Sequence, residues 1–303
     1  MDTLRVLLSL ITRDNDYQRE QASVAEATAR RLGISLQVIF ADNDAIAQTR
    51  AILAAIHSPE AERPRAVVVE PVGTEMLSVA GTAVESGVGW IVLNREADAL
   101  VPLRQKASVP VGSVECDNVE VGRIQARQFA ALLPSGGTVL YVEGPATEVA
   151  RQRRAGLDEA LPPSIKIQSG RGKWTEESGQ EVLASRMQMQ GHSAPSCALI
   201  GCQNDAMAMG ARKAVEALPA GPQREQWMKI PLTGVDGVPA TGQVWVQRGA
   251  LVATVVTPAL TGVALELLSR AVASGSQVPE RTLVDVASYP TLEELRRRAG
   301  APA

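Results

Sequence analysis

Planar polar side chains recur in short runs along this sequence. The runs are Arg13-Asp14-Asn15-Asp16-Tyr17-Gln18, Asn94-Arg95, Glu143-Gly144-Pro145 followed by Arg151, Gln203-Asn204-Asp205 and Asp236-Gly237, with Thr257 last. Carboxylates, carboxamides and guanidinium groups each present two hydrogen-bonding positions in one plane, a geometry suited to neighbouring hydroxyls on a small molecule. The chemistry they support is recognition by hydrogen bonding. Two aromatic residues accompany them: Tyr17 inside the first run, and Trp174 in Gly172-Lys173-Trp174-Thr175. Aromatic residues are only 3% of the chain, with two Phe and three Tyr, so its cores must be built of aliphatic side chains. An aromatic in a polar loop can cover a helix end, or it can stack on the apolar C–H face of a pyranose or furanose. Its company of polar runs favours the pocket.

Catalytic constellations find little material. His57 and His192 are the only histidines; one falls near a helix end and the other in a polar loop, where surface roles suffice. Cys116, Cys197 and Cys202 are odd in number and lack CxxC spacing, which argues against a disulfide framework or a zinc site and for reduced thiols packed near strands. Gly170-Arg171-Gly172-Lys173-Trp174-Thr175 lacks the GxxxxGK[ST] spacing of a phosphate loop and reads as a turn. No glycine occurs between Arg13 and Gln18, so the dinucleotide fingerprint is missing after the first strand. The expectation is therefore no enzyme activity, no metal and no cofactor.

Composition narrows the partners. At 303 residues the chain has room for two cores. Charged residues make up 21% and the net charge is -3, with both signs interspersed, so no basic face gathers phosphates and nucleic acid is not an expected partner. No run approaches the ~18 apolar residues that span a bilayer, so membrane insertion is not expected either. Met1-Asp2-Thr3 leads straight into Leu4 to Ile11 with no signal-peptide pattern. The chain as written reads as cytoplasmic, or as a secreted protein already trimmed.

The elements that position the polar runs follow from periodicity. Leu4 to Ile11, Leu36 to Phe40, Ala66 to Val69 and Trp90 to Leu93 are apolar without alternation, as strands covered on both faces are. Between them, Gln18 to Leu32 ends at Gly33, Asp44 to Ile56 starts behind an Asp cap, and Gly73 to Ser86 ends at Gly87. Ala107 to Cys116 reads as a connection, after which the pattern restarts. Helices are expected near Val119 to Leu133, Glu148 to Leu161, Glu176 to Gln190 and Asp205 to Leu218, and strands at Thr138 to Val142, Ile165 to Gln168, Ala198 to Cys202, Ile230 to Val235 and Val252 to Val256. Two parallel sheets follow. A helix over Pro258 to Ala273 and a strand over Leu283 to Val286 are left to return to the open first sheet. Every polar run then stands at the carboxyl end of a strand, where open α/β sheets bind ligands.

Taken in order, Asn15-Asp16-Tyr17-Gln18, Leu93-Asn94-Arg95, Cys116-Asp117-Asn118, Ala150-Arg151-Gln152-Arg153, Cys202-Gln203-Asn204-Asp205-Ala206-Met207-Ala208 and Gly234-Val235-Asp236-Gly237 resemble the type I periplasmic sugar-binding proteins of the ribose-binding class. LacI-type repressors share the same ligand-binding core. The resemblance runs nearly end to end. It implies an α/β fold of two Rossmann-like lobes with parallel sheets joined by a hinge, residues 1–116 plus 258–286 forming the N-terminal lobe and 117–257 plus 287–303 the C-terminal lobe, with the ligand in the cleft between them. It implies ligand contacts from Asn15, Tyr17, Gln18, Asn94 and Arg95 in the first lobe. Arg151, Trp174, Asn204 and Asp236 come from the second, with Thr257 at a hinge crossover. Asp117 and Asp205 read as helix caps. Three positions depart from the family: Gln18 where an aromatic is usual, Asn94 where an Asp is usual, and Thr257 where a longer Gln is common. An amide keeps one acceptor and adds a donor, so amines, carboxylates and altered hydroxyl stereochemistry stay open as ligand features.

The resemblance implies non-catalytic binding of a small sugar or sugar derivative by hinge closure, as the solute-binding component of an ABC-type transport system, with an ABC permease or membrane sensor as partner. The alternative is the effector core of a LacI-type regulator without its DNA-binding head; such a head precedes the first strand in that family, whereas here Leu4 already begins it. The first class implies a periplasmic location with the signal peptide absent from this chain.

Overall fold

The computed structural model describes residues 3–73, 76–94, 100–191, 195–298 and 300. The chain divides into two compact units, one of Met1–Cys116 with Ala259–Val284 and one of Asp117–Pro258 with Asp285–Ala303.

Unit 1 begins β1 (Arg5–Leu10), α1 (Asp16–Leu32), β2 (Ser35–Phe40), α2 (Ala45–Ile56), β3 (Ala66–Val69), α3 (Met76–Glu85), β4 (Gly89–Leu93), α4 (Val101–Lys106) and β5 (Val111–Cys116). The strands form because their side chains are apolar on both faces: all four residues of β3 and all five of β4 are buried. The helices start at side-chain caps. Asn15 accepts from the Gln18 amide at 2.8 Å, and Asp44 from Ile46 and Ala47. Gly33, at φ 68, ends α1 in the left-handed conformation that a side chain resists.

Unit 2 repeats the scheme: α5 (Asn118–Leu132), β6 (Gly137–Glu143), α6 (Glu148–Ala160), β7 (Ile165–Arg171), α7 (Glu176–Gln190), β8 (Leu199–Cys202), α8 (Asp205–Glu216), α9 (Pro222–Met228), β9 (Leu232–Asp236), α10 (Gly242–Gln247) and β10 (Ala253–Val256). Helix α11 (Leu260–Ser274) and β11 (Arg281–Val284) then belong to unit 1, and β12 (Ala287–Tyr289) and α12 (Leu292–Arg298) to unit 2. Within unit 1, α11 docks on α1 through Thr261, whose N–H donates to Gln21 Oε1 at 3.0 Å and whose hydroxyl donates to the Gln21 carbonyl at 2.6 Å.

The strand orders are β11-β5-β4-β3-β1-β2 in unit 1 and β12-β10-β9-β8-β6-β7 in unit 2. All pairings are parallel except that of β12 with β10. The two-lobed parallel α/β architecture expected from the alternation is the one observed. The stretch read as a connection is not: its second half is β5, buried along its whole length. Ser113 and Glu115 interrupt the apolar run in sequence, and tertiary partners make them tolerable there. Glu115 accepts from Arg281 Nε of β11 at 2.8 Å and from the Ser113 hydroxyl at 3.2 Å. The last strand of unit 1 accordingly starts at Arg281 rather than Leu283, in register with Ser113. β12, α4, α9 and α12 are three to seven residues long, too short for periodicity to announce.

Candidate functional site

In a doubly wound sheet the crossovers leave neighbouring strands in opposite directions at one point, and there the loops part to make room for a ligand. The strand orders put that point between β1 and β3 in unit 1 and between β6 and β8 in unit 2. A glutamine side chain bridges each.

In unit 1 the bridge is Gln18, in the first turn of α1. Its Oε1 accepts from the Ile11 N–H at 3.0 Å, and its Nε2 donates to Glu70 Oε2 at 2.8 Å. Glu70 stands directly after β3 and is 6% exposed. Its other oxygen, Oε1, accepts from Asn94 Nδ2 at 2.8 Å at the exit of β4. One buried carboxylate thus holds amides from the exits on both sides of its own strand. Gln48 of α2 fixes the Glu70 backbone: its Nε2 donates to the Glu70 carbonyl at 2.9 Å and to Ser9 Oγ at 3.1 Å, while its Oε1 accepts from the Val72 N–H at 2.9 Å. Asn94 has φ 53, in the left-handed region that Asn tolerates best after Gly.

In unit 2 the bridge is Gln203, fully buried after β8. Its Oε1 accepts from the Gly144 N–H at 2.9 Å across the switch point, and its Nε2 donates to the Ala150 carbonyl at 3.1 Å. Arg153, 8% exposed, donates from Nε to Asn118 Oδ1 at 3.0 Å and from Nη1 to the Gln203 carbonyl at 2.5 Å. Its guanidinium lies 5.6 Å from the centre of the Trp174 ring, within cation–π range. The indole occupies the space where Gly144 has no side chain; a Cβ there would lie 2.2 Å from the ring. Trp174 itself has φ 67, and Asn204 Nδ2 donates to its carbonyl at 2.9 Å while Asn204 Oδ1 caps α8 on the Met207 N–H at 2.9 Å.

Asp205, 0% exposed, supports the exit of β9. Oδ2 accepts from the Gly237 N–H and Oδ1 from the Thr254 hydroxyl, both at 2.8 Å. The carboxylate fits because Gly234 and Gly242 flank it; a Cβ on either would come within 2.0 or 2.1 Å of its oxygens. The turn it holds is strained: Asp236 has φ 113, a conformation costing on the order of 1–3 kcal/mol in a residue with a side chain. Asp205 is therefore not the helix cap read from sequence: Asn204 caps α8, and the Asp205 carboxylate holds the turn after β9 instead. Thr257, after β10, is 4% exposed; its N–H donates to the Asp236 carbonyl at 3.0 Å, and its Oγ1 has no hydrogen-bond partner among the described residues.

The expected site residues fall as follows. In unit 1, Asn15, Tyr17 and Gln18 lie together at the start of α1, Tyr17 and Gln18 buried, and Asn94 lies two strands away in the same sheet. Arg95 lies outside the described residues. In unit 2, Trp174, Asn204 and Thr257 follow β7, β8 and β10 and Asp236 ends β9, all members of one sheet. Arg151, in the first turn of α6, is exposed, with its guanidinium 3.5 Å from the Ala146 carbonyl; the buried arginine of that helix is Arg153. Gln18 spends both ends of its amide inside the protein, as Asn204 spends its oxygen. Glu70, Gln48 and Arg153 escape sequence reading. The strand-exit rule that selects Asn94 also selects Glu70, yet a charged residue before a proline looks like an ordinary surface turn.

Among the described residues no group of three or more His, Cys, Asp or Glu is placed to hold a metal ion, and no helix is long and apolar enough to cross a membrane. Cys116, Cys197 and Cys202 are buried free thiols. Burial pushes the Cys202 thiol and the Tyr141 phenol up from their ordinary values, which keeps both neutral.

Comparison with known proteins matches residues 6–273 to a periplasmic binding protein domain. The chain is 24% identical to the D-apiose import binding protein of Paraburkholderia graminis, over 92% of this chain and 85% of that protein. It is 25% identical to the galactofuranose-binding protein of Escherichia coli, over 94% and 87% respectively. A crystal structure of an ABC transporter periplasmic solute binding protein from Actinobacillus succinogenes, with bound D-allose, superposes with a TM-score of 0.81 at 23% identity, covering 97% of this chain and 99% of that one.

Proposed function

The chain belongs to the periplasmic binding protein domain family, and from that premise we propose that it binds a monosaccharide, without altering it, as the solute-binding component of an ABC-type sugar importer. The observation that carries this reading is the set of preorganised polar groups at consecutive strand exits in each unit. Side chains clamped by neighbours lose little entropy on binding, and the groups left over are those of a hydroxyl-recognition site. The names of the relatives point the same way: D-apiose, galactofuranose and D-allose are all small neutral sugars. These relatives also favour the transport role over that of a regulator's effector core. The periplasm, with an ABC permease as recipient, belongs to the same reading.

In this proposal Asn15, Tyr17, Asn94 and Arg95 of unit 1 and Arg151, Trp174, Asn204, Asp236 and Thr257 of unit 2 contact the sugar. The buried Thr257 hydroxyl, with no partner among the described residues, supports that assignment, because leaving such a group unmatched costs about 1–3 kcal/mol that a ligand hydroxyl recovers. Binding proceeds by hinge closure, favoured by the difference in sugar affinity between the two forms. Gln18 and Asn204 each have the amide oxygen on a backbone N–H and one amide hydrogen on a protein acceptor; Gln18 serves as scaffold across its switch point, and Asn204 offers the sugar its second amide hydrogen.

A thermal-shift screen of the chain against D-ribose, L-arabinose, D-apiose, D-allose, D-galactose and myo-inositol tests the reading. A sugar at about a hundred times its Kd adds roughly 2.7 kcal/mol to the folded state, a clear rise in midpoint. Silence across the sugars, with a shift from an amino acid or a nucleoside, rejects the ligand class.

A further inference from the structure

Asn94 stands at the exit of β4, where its side-chain amide can turn either its oxygen or its NH2 toward a ligand, and the two choices select opposite partners. We propose that Glu70 fixes the hydrogen-bonding sense of Asn94, so that this exit presents a carbonyl oxygen outward and selects a ligand carrying a hydroxyl donor at that place. The selectivity half of this inference rests on the sugar-binding reading; the orientation half does not.

The hydrogen-bond chain begins at a main-chain donor. The Ile11 backbone N–H can only donate, and Gln18 Oε1 accepts it at 3.0 Å. Gln18 must then turn its Nε2 toward Glu70, where it donates to Oε2 at 2.8 Å. That bond makes Glu70 an acceptor on one side, and an ionised carboxylate accepts on the other as well. Its Oε1 lies 2.8 Å from the Asn94 amide, which accordingly faces it with Nδ2. The two ends of a carboxamide point about 120° apart, so the Asn94 oxygen is directed away from the carboxylate, and no described donor occupies it. Gln48 keeps Glu70 from adjusting, holding its carbonyl and the Val72 N–H two residues on.

The chain from Ile11 through Gln18 and Glu70 to Asn94 is a relay of hydrogen-bond sense, begun by a main-chain group and ended at the site. Its outcome is that an amide takes over the acceptor role of an acid: Asn94 turns its oxygen outward and gives one of its two amide hydrogens to the Glu70 carboxylate behind it. Glu70 is a positioning residue, acting through Asn94.

Two variants and two measurements test this. In Glu70→Gln the new side chain has one acceptor and one donor. Gln18 claims the acceptor, so the new amide faces Asn94 with its NH2, and Asn94 must reverse, turning its own NH2 outward. In the double variant Glu70→Gln with Asn94→Asp, the carboxylate is moved to the strand exit, accepts from the new amide and again offers an oxygen outward. The first measurement needs no ligand: exchange of the Asn94 side-chain amide protons by NMR, with exposed Asn43 as internal reference. The wild type should exchange at least about tenfold more slowly at Asn94 than at Asn43, the factor that ~1.4 kcal/mol of protection gives. Glu70→Gln should remove most of that difference. Wild-type Asn94 exchanging as fast as Asn43 overturns the orientation, and this arm stands even if the variant does not fold.

The second measurement is affinity for whichever sugar of the panel binds the wild type best. Loss of the matched acceptor should weaken it about ten- to a hundredfold in Glu70→Gln, and the double variant should recover to within about threefold, a rescue that a merely structural role for Glu70 does not give. A double variant as weak as Glu70→Gln, or a Glu70→Gln variant of unchanged affinity, overturns the selectivity claim. A wild type that binds none of the sugars while its Asn94 protons stay protected defeats the sugar reading and leaves the orientation standing.

Discussion

The two units solve one problem twice with different chemistry. Each sheet has its switch point bridged by a glutamine, and each puts a positive-φ residue, Asn94 or Asp236, at the exit of its fourth strand. In unit 1 the groups there are held by other side chains: Gln18 and Asn94 by the carboxylate of Glu70, and Glu70 by Gln48. In unit 2 they are held largely by main chain: Gln203 on Gly144 and Ala150, Asp205 on Gly237, and Asn204 on Trp174 and Met207. Main-chain anchors fix position whatever the neighbouring side chains are. Side-chain relays fix orientation and change when one member changes. Unit 2 is therefore built for rigidity, whereas the polar network of unit 1 is adjustable by single substitutions.

The largest effect should come from cutting a main-chain anchor. Asp205→Ala leaves the Gly237 N–H and the Thr254 hydroxyl without their partner in a closed interior, and urea denaturation should show a loss of about 3 kcal/mol or more together with loss of sugar binding through the strained Asp236 turn. A loss under about 1 kcal/mol would remove the contrast drawn here. Next is the pair on α6. Arg153→Ala removes the bonds to Asn118 Oδ1 and the Gln203 carbonyl and the contact with the Trp174 ring, for about 2–3 kcal/mol. Arg151→Ala, at an exposed position, should leave stability within about 0.5 kcal/mol while weakening the sugar. Calorimetric titration beside denaturation separates the two.

Unit 1 should respond more mildly. Gln48→Ala exposes the Val72 N–H and the Glu70 carbonyl near the edge of the network, and we expect about 1–2 kcal/mol, with a change in which sugar binds best. The smallest effect concerns pH. The Cys202 thiol is pushed up by burial, with the Asp205 charge adding to it, so the folded state holds that proton more tightly than the unfolded chain. Its contribution is complete below the unfolded thiol value of 9.0 and declines as pH rises above it. Wild-type stability should fall above pH 9.0 more steeply than that of Cys202→Ala.

How much of this was legible in sequence divides along the same line. The motif runs Gln203-Asn204-Asp205 and Asp236-Gly237 contain most of what unit 2 needs, because an anchor on nearby main chain keeps its parts close in sequence. Residues 18, 48, 70 and 94 of unit 1 meet only after the sheet has ordered its strands, so the spacing of any one says nothing of the others. The same holds for β5: Glu115 reads as a reason against a buried strand until Arg281, 166 residues on, supplies its counter-charge. Apolar periodicity reveals elements; long-range polar pairing does not show in it. Arg151 and Arg153 stand two apart in one helix, and which of them is buried depends on the helix's rotation against α5, which the sequence pattern leaves open.

The proposed function requires that the chain bind one sugar and release it unchanged. The most direct measurement is isothermal titration of the best sugar of the panel into wild type, Asn94→Ala and Asp236→Ala, with the sugar recovered afterwards by chromatography. One saturable site per chain, intact sugar, and affinity lowered by about tenfold or more in each variant is the result predicted here. Full affinity in either variant, or a sugar recovered as a different compound, would contradict the account.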